Sequence, residues 1–186
     1  TFNYFSDLNP ERRRLIKVLQ ETIRSSEEEE LEKLFGIKGD TLEEAVQINL
    51  DVFGSPLLAA VDRYGPGVMY AAMDFAELPT GAQRRLLENG VIFSGLFGLL
   101  RPDDLIPNYR LRIDASLPEI GKVSSYWKPV LSPALNHALK DLPEDRIRFH
   151  TCWGSQHGPH LDDLELKHFV DLILMVTAEC YSVEAA

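Results

Sequence analysis

The sequence predicts a mixed α/β fold, with a helical N-terminal region, a mixed sheet in the middle and a βαβ fragment at the C-terminus. Three observations predict this fold. Apolar residues recur with a 3.6-residue period over the first third of the chain, and a short apolar strand bordered by glycines opens the middle. A strand, a loop, a helix and a further strand are then indicated in order before the chain ends.

Capping residues and prolines place four helices in the first third. The predicted starts and ends are Asn9-Pro10 with an apolar stripe to Ile23, Glu27–Leu34 after a Ser26 cap, Thr41 to about Phe53, and Ser55-Pro56 to about Tyr64. Arg12-Arg13-Arg14 lies in the first turns of the first helix. We interpret this triplet as a solvated face, with a phosphate-contact surface as the alternative.

The middle and the end of the chain alternate between strands and helices. The predicted elements are a helix Thr80–Glu88, a strand 91–93, a glycine-punctuated loop 94–104, a strand 109–113 and a helical stretch 121–139 interrupted by Pro129 and Pro133. The C-terminal segment predicts a strand 146–149, a loop 150–163, a helix 164–177 and a strand 181–184.

The composition describes a globular chain with an acidic balance. Of its 186 residues 45% are apolar, and 19 Lys and Arg against 29 Asp and Glu give a net charge of −10. This charge argues against an undirected polyanion binder. Two cysteines exclude a disulfide framework, so we expect reduced thiols and a cytoplasmic location. We expect no membrane span, because the longest mainly apolar run is about half the roughly 20 residues required.

The densest polar cluster surrounds the glycine loop and contains Arg101, Asp104, Tyr109 and Arg110. Two arginines beside a glycine turn are suited to grip phosphate oxygens in bidentate geometry. The alternative is an ion pair between Asp104 and either arginine that pins the loop. Both interpretations stay open at this point. Ser94 lacks the spacing of a nucleophile elbow, and the glycines are better explained by close approach of neighbouring backbone.

A second cluster lies at the predicted strand end His150-Thr151-Cys152. Residues i and i+2 of a strand project to the same side, and imidazole with thiolate is a pair that zinc prefers. Glu184 ends the next predicted strand and is a further candidate ligand. The pattern is therefore typical of a metal site with three of the four usual zinc ligands visible, although a lone His-x-Cys pair is more often structural.

Residues 1–135 resemble the YaaA family of peroxide-stress proteins, in the variety common in actinobacteria. The residues that carry the resemblance are Leu8-Asn9-Pro10-Glu11-Arg12-Arg13-Arg14, Arg63-Tyr64, Gly67-Val68-Met69-Tyr70, Asp74, Tyr126-Trp127-Lys128, and the long motif from Ser94 through Gly95, Gly98, Arg101, Pro102 and Asp104 to Tyr109-Arg110-Leu111.

This resemblance implies a mixed α/β fold and a cytoplasmic role in limiting damage from hydrogen peroxide and free iron. It also implies binding of double-stranded DNA through a positively charged cleft, for which we expect Arg101, Tyr109, Arg110 and Arg112 to supply the contacts. No established reaction and no cofactor accompany it, so we expect the chain not to be an enzyme.

Residues 136–186 resemble a different family, the catalytic barrel of cobalamin-independent methionine synthase. The match runs through Leu142-Pro143-Glu144-Asp145-Arg146-Ile147-Arg148-Phe149-His150-Thr151-Cys152-Trp153-Gly154, His157-Gly158-Pro159-His160 and Tyr181-Ser182-Val183-Glu184-Ala185-Ala186. It implies that His150, Cys152 and Glu184 ligate zinc and activate a homocysteine thiolate. The alternative function is therefore a fragment of a zinc-dependent methyltransferase. The combination of two different resemblances in one chain leads us to expect a truncated, fused or artificially assembled reading frame.

Overall fold

The computed structural model describes residues 4–65, 67–143, 148–151 and 180–183, and it confirms a mixed α/β fold. The helices are α1 (Asn9–Ser25), α2 (Glu28–Phe35), α3 (Asp40–Leu50), α4 (Ala60–Arg63), α5 (Val68–Met73), α6 (Thr80–Asn89) and α7 (Val123–Leu139). The strands are β1 (Leu58–Ala59), β2 (Ile92–Ser94), β3 (Gly98–Leu100), β4 (Leu105–Ile106), β5 (Ser116–Leu117), β6 (Gly121–Lys122), β7 (Arg148–Thr151) and β8 (Cys180–Val183).

All strands of the described residues are short and pair two by two. β1 pairs with β4, β2 with β3, and β5 with β6, each antiparallel, whereas β7 and β8 are parallel. The chain divides into two compact units, Thr1–Leu135 and Asn136–Ala186. Isolated two-stranded pairs are at best marginally stable in water, so the small pairs of the first unit depend on the helices and loops that pack against them.

Helix α1 supplies the central apolar stripe of the first unit. Leu15 and Leu19 are fully buried, and Asn9-Pro10 begins the helix as predicted. The helix contacts α3, where the Gln20 side chain donates hydrogen bonds of 3.0 Å to the carbonyls of Asn49 and Leu50. These bonds satisfy two carbonyls at the end of α3, which otherwise lack intrahelical partners. The predicted first helix is therefore confirmed.

The second, third and fourth predicted helices are confirmed only in part. α2 is capped by Glu27 rather than by Ser26, in a capping box with Glu30, and ends at Gly36 with φ of 66° as predicted. α3 begins after Gly39 and ends before Phe53. The predicted fourth helix is wrong over Leu58–Ala59, which form β1 against β4. Ala60 N–H also donates to Asp104 O at 2.8 Å, so tertiary pairing outweighs the helix signal there.

The middle of the chain differs from the prediction at several places. β3 lies inside the predicted glycine loop and pairs with β2, which fixes that loop as a hairpin. Residues 109–113, predicted as a strand, run without regular structure. α7 continues through Pro129 and Pro133, which are both exposed, and is not interrupted at either proline.

The C-terminal strands are present, but they do not establish a barrel fragment. β7 and β8 pair in parallel with Arg148 opposite Cys180 and Thr151 opposite Val183, close to the predicted strands 146–149 and 181–184. The predicted helix 164–177 lies outside the described residues. One parallel pair is common to many α/β folds, so a fragment of the TIM-barrel type is not shown. No helix in the described ranges is long and apolar enough to cross a membrane.

A fully buried arginine joins α1 to the β2–β3 hairpin. The Arg12 guanidinium donates from Nε to Phe97 O at 2.8 Å, from Nη2 to Leu99 O at 2.6 Å and from Nη1 to the Asn9 side chain at 2.9 Å. Burial lowers the pKa of Arg12 to about 10, opposed by the nearby charge of Asp104, so the group stays charged at neutral pH.

The interpretation of the arginine triplet as a solvated face is therefore wrong for its first member. Arg13 and Arg14 are exposed, but Arg12 lies on the same helical stripe as Leu8 and Leu15. That spacing, four residues before and three after, was visible in the sequence. The charge of Arg12 nevertheless favoured the solvated interpretation, because arginine is rarely buried without partners.

Replacing Arg12 tests its structural role. We expect Arg12→Leu to lower the free energy of unfolding by about 3–5 kcal/mol, because it removes the guanidinium donors to the buried carbonyls of Phe97 and Leu99 and the charge beside Asp104. Arg12→Lys should recover only part of this loss, since an ammonium lacks the planar fork. Urea unfolding followed by circular dichroism measures both, with Arg13→Leu as the exposed control. Equal stability of Arg12→Leu and Arg13→Leu would contradict the assignment.

Candidate functional site

The polar cluster predicted from the sequence is built around the β2–β3 hairpin, residues 92–100, which we call the glycine hairpin. Gly98 has φ of 73°, and a Cβ added there would lie about 3 Å from Leu131 and Trp127. A Cβ on Gly95 would lie 2.6 Å from Leu111 O, and Gly95 O accepts a 2.8 Å bond from the Trp127 indole. Both positions require glycine because neighbouring groups approach the backbone closely.

Three hydroxyl groups form a network under this hairpin. Tyr109 OH lies 2.5 Å from Tyr64 OH and 2.8 Å from Ser94 Oγ, and Ser94 Oγ accepts the Phe97 N–H at 3.0 Å. Ser94 is buried, and Tyr64 stacks on Tyr70 with 5.7 Å between ring centroids. The network therefore ties α4, α5 and the hairpin to the segment that carries Arg110.

Burial controls the acidity of these phenols. It raises the pKa of Tyr64 and of Tyr109 well above the ordinary tyrosine value, and it raises the pKa of Tyr70 to about 12. Hydrogen bonds from Ser94 act in the opposite direction on Tyr64 and Tyr109 but do not outweigh desolvation. All three phenols are thus neutral donors or acceptors at physiological pH. The predicted anion contact Tyr109 has its hydroxyl group engaged inside the protein.

Asp104 and Arg101 close the turn after the hairpin. The buried Asp104 carboxylate accepts the Arg101 main-chain N–H at 2.8 Å and the Tyr4 N–H at 3.4 Å. The half-buried Arg101 side chain donates from Nη2 to Leu87 O at 2.5 Å and lies over the Tyr4 ring at 5.6 Å. Pro102, predicted as part of the motif, is buried in the same turn. Asp104 thus holds the loop through backbone N–H groups.

Arg110 and Arg112 follow on an exposed segment. Arg110 is exposed, and the described residues offer its guanidinium no ion-pair or hydrogen-bond partner. Arg112 makes a bidentate pair with Asp114, with Nε to Oδ1 at 2.9 Å and Nη2 to Oδ2 at 2.5 Å. Its guanidinium also lies against Gly36, where an added Cβ would come within 2.5 Å of Nη1. Among the described residues, no carboxylate pairs with Arg110, whereas Arg112 would have to leave Asp114 before it could bind an anion.

Asn49 positions Arg110 and was missed by the sequence reasoning. Its side chain is fully buried, accepts the Arg110 N–H at 3.1 Å and donates to Arg110 O at 2.8 Å. The buried face of α3 contains Leu42 and Ala45 at helical spacing from Asn49. A polar residue on an apolar helix stripe was the available signal, because such a residue needs buried partners.

The predicted metal site remains a prediction. His150 lies in β7, and Cys152 and Glu184 lie outside the described residues. Within the described part of the chain, no three His, Cys, Asp or Glu side chains are grouped to hold a metal ion.

These features define the first unit as an α/β protein whose buried polar side chains hold a glycine hairpin beside an exposed arginine segment. The chain belongs to the peroxide stress protein YaaA family, whose sequence profile matches residues 4–148. None of the comparisons supports the resemblance of the C-terminal segment to methionine synthase.

Individual relatives agree with this family. An uncharacterized protein of Campylobacter jejuni is 31% identical over 137 residues, which are 74% of this chain and 54% of that protein. A UPF0246 protein of Streptomyces coelicolor is 37% identical over 75 residues, covering 40% and 29%, and one of Corynebacterium glutamicum is 35% identical over 127 residues, covering 64% and 49%. The chain spans about half or less of the length of these relatives.

The raised pKa values of the half-buried tyrosines predict a loss of stability at alkaline pH. The pKa of Tyr70 is about 10 in the unfolded chain and about 12 in the folded protein, so the folded state favours the neutral phenol. The resulting stabilisation is complete below pH 10 and is lost as the pH rises through about 12. We expect the free energy of unfolding to fall over this window and to fall less steeply in Tyr70→Phe. Urea unfolding at several pH values measures it. An equally steep fall in both proteins would contradict the prediction.

Proposed function

We propose that this chain acts in the response to peroxide stress by binding double-stranded DNA and limiting iron-dependent damage to it. Membership of the peroxide stress family supports the first part. The observation that carries the DNA-binding part is the exposed Arg110 guanidinium, without a partner among the described residues, on backbone clamped by Asn49. The activity of a whole family member is part of the proposal, because the chain spans about half of its curated relatives.

The two hydrogen bonds between the Asn49 side chain and the main chain of Arg110, which we call the Asn49 clamp, should favour phosphate binding. A guanidinium binds phosphate oxygens through paired N–H donors, and a fixed backbone lowers the conformational entropy lost on binding. Arg112 lies two residues further along and carries a second guanidinium, which Asp114 neutralises in the free protein. Arg101 lies on the other side of Tyr109 in sequence and supplies positive charge from a half-buried position. The net charge of −10 means that this attraction is local.

Substitution of Arg110 tests DNA binding. We expect the protein to bind a duplex at low salt, and Arg110→Ala to weaken binding several-fold and reduce the slope of log K against log salt by about 1. A gel shift or fluorescence anisotropy titration at several salt concentrations measures both. Arg84→Ala is the matched control, since Arg84 is exposed but paired with Glu88 at 2.7 Å.

Asp114→Asn is a second test of DNA binding, in which binding should strengthen. It removes the carboxylate that holds Arg112, so we expect tighter binding that is lost again in Asp114→Asn with Arg112→Ala. The assignment fails if the protein does not bind duplex DNA at low salt, or if Arg110→Ala and Arg84→Ala behave alike.

The cellular part of the proposal has its own measurement. In a bacterial strain that lacks its own family member, expression of the chain should raise survival after hydrogen peroxide and lower the iron that a cell-permeant chelator detects. Arg110→Ala should lose the survival benefit if DNA binding is required. Unchanged survival with the wild-type chain, at an expression level verified by immunoblotting, would contradict the role in peroxide stress.

A further inference from the structure

An apolar groove lies beside the first turns of α1. It encloses about 360 Å³ and is lined by α1, the segment after α3, and the β4 region. Three of its apolar side chains are unusually open to solvent, with Phe53 75%, Leu57 49% and Leu105 45% exposed. This volume lies in the range of about 300–1,000 Å³ that is typical of small-molecule sites. Large exposed apolar side chains gathered in one concave surface indicate a ligand that covers them.

The groove is also positive at one side. Arg12 and Arg13 line it, and among the described residues no Asp or Glu does so, although the whole chain has a net charge of −10. The Arg12 guanidinium is bound to the glycine hairpin carbonyls and contributes only its field. Arg13 is exposed, and no described residue pairs with its guanidinium. In the described part of the chain, the apolar walls of the groove therefore lie beside the unpaired guanidinium of Arg13.

We propose that this groove binds a single-chain amphipathic carboxylate. Its apolar body would lie against Phe53, Leu57 and Leu105, and its carboxylate would accept paired hydrogen bonds from the Arg13 guanidinium. The planar fork of arginine fits a carboxylate in this geometry. A nucleic acid backbone carries the negative charge but no apolar chain, so it would leave the walls uncovered. The proposal does not depend on DNA binding, because the residues of the two sites differ.

Titration of the full chain with decanoate tests the proposal. Isothermal titration calorimetry should give saturable binding with one site, and decanol, of the same chain length but uncharged, should bind at least about tenfold more weakly. Arg13→Ala should weaken decanoate binding by about tenfold and bring it close to that of decanol. Arg14→Ala is the matched control, because it removes the same charge from the next residue of α1, outside the groove.

A second variant tests the apolar wall. Leu57→Asp places a carboxylate at an exposed wall position, so it should abolish decanoate binding while circular dichroism shows an unchanged fold. The proposal is overturned if decanoate does not bind saturably, if decanol binds as tightly, or if Arg14→Ala weakens binding as much as Arg13→Ala. Retention of full affinity in folded Leu57→Asp would overturn it as well.

Discussion

The buried Arg12 guanidinium is the interaction on which the arrangement of the first unit depends. It places one positive charge between α1 and the glycine hairpin and donates hydrogen bonds to the main-chain carbonyls of Phe97 and Leu99. A buried charge is tolerated only where partners surround it, so the helix and the hairpin must be present together. This requirement fixes the position of the chain that leads into Arg101 and the segment that contains Arg110 and Arg112.

Other buried polar groups extend the same principle. The antiparallel strands of the first unit contain only two or three residues. Hydrogen bonds from side chains therefore join its segments, as long ladders of main-chain hydrogen bonds do in larger sheets. The Asn49 side chain forms two hydrogen bonds with the main chain of Arg110, and the Asp104 carboxylate accepts main-chain N–H groups at the turn after the hairpin. Tyr64, Tyr109 and Ser94 join three segments that are distant in sequence. The exposed Arg110 and Arg112 thus lie on a segment that buried polar side chains join to the rest of the first unit.

The sequence predicted the parts of the fold that depend on local patterns. The apolar period of α1, the glycine end of α2 and the helix at Thr80 are local features, and all three are present. β1 and β3 were missed because each exists through pairing with a distant or turning segment. In the site, the motif residues are brought together, but the network of Tyr109 and the clamp of Asn49 require three-dimensional contacts. The zinc ligands stay a prediction.

The close approach at Gly95 limits how this protein can change over evolutionary time. Its Cα faces Leu111 O so nearly that even alanine has no room, and a larger residue would force the hairpin away from the segment beside it. A replacement there cannot be absorbed by choosing another rotamer, since the obstacle is backbone. Sequence drift should therefore accumulate on the outward surface of α2 and α6, while the glycine turn and its neighbour vary only together.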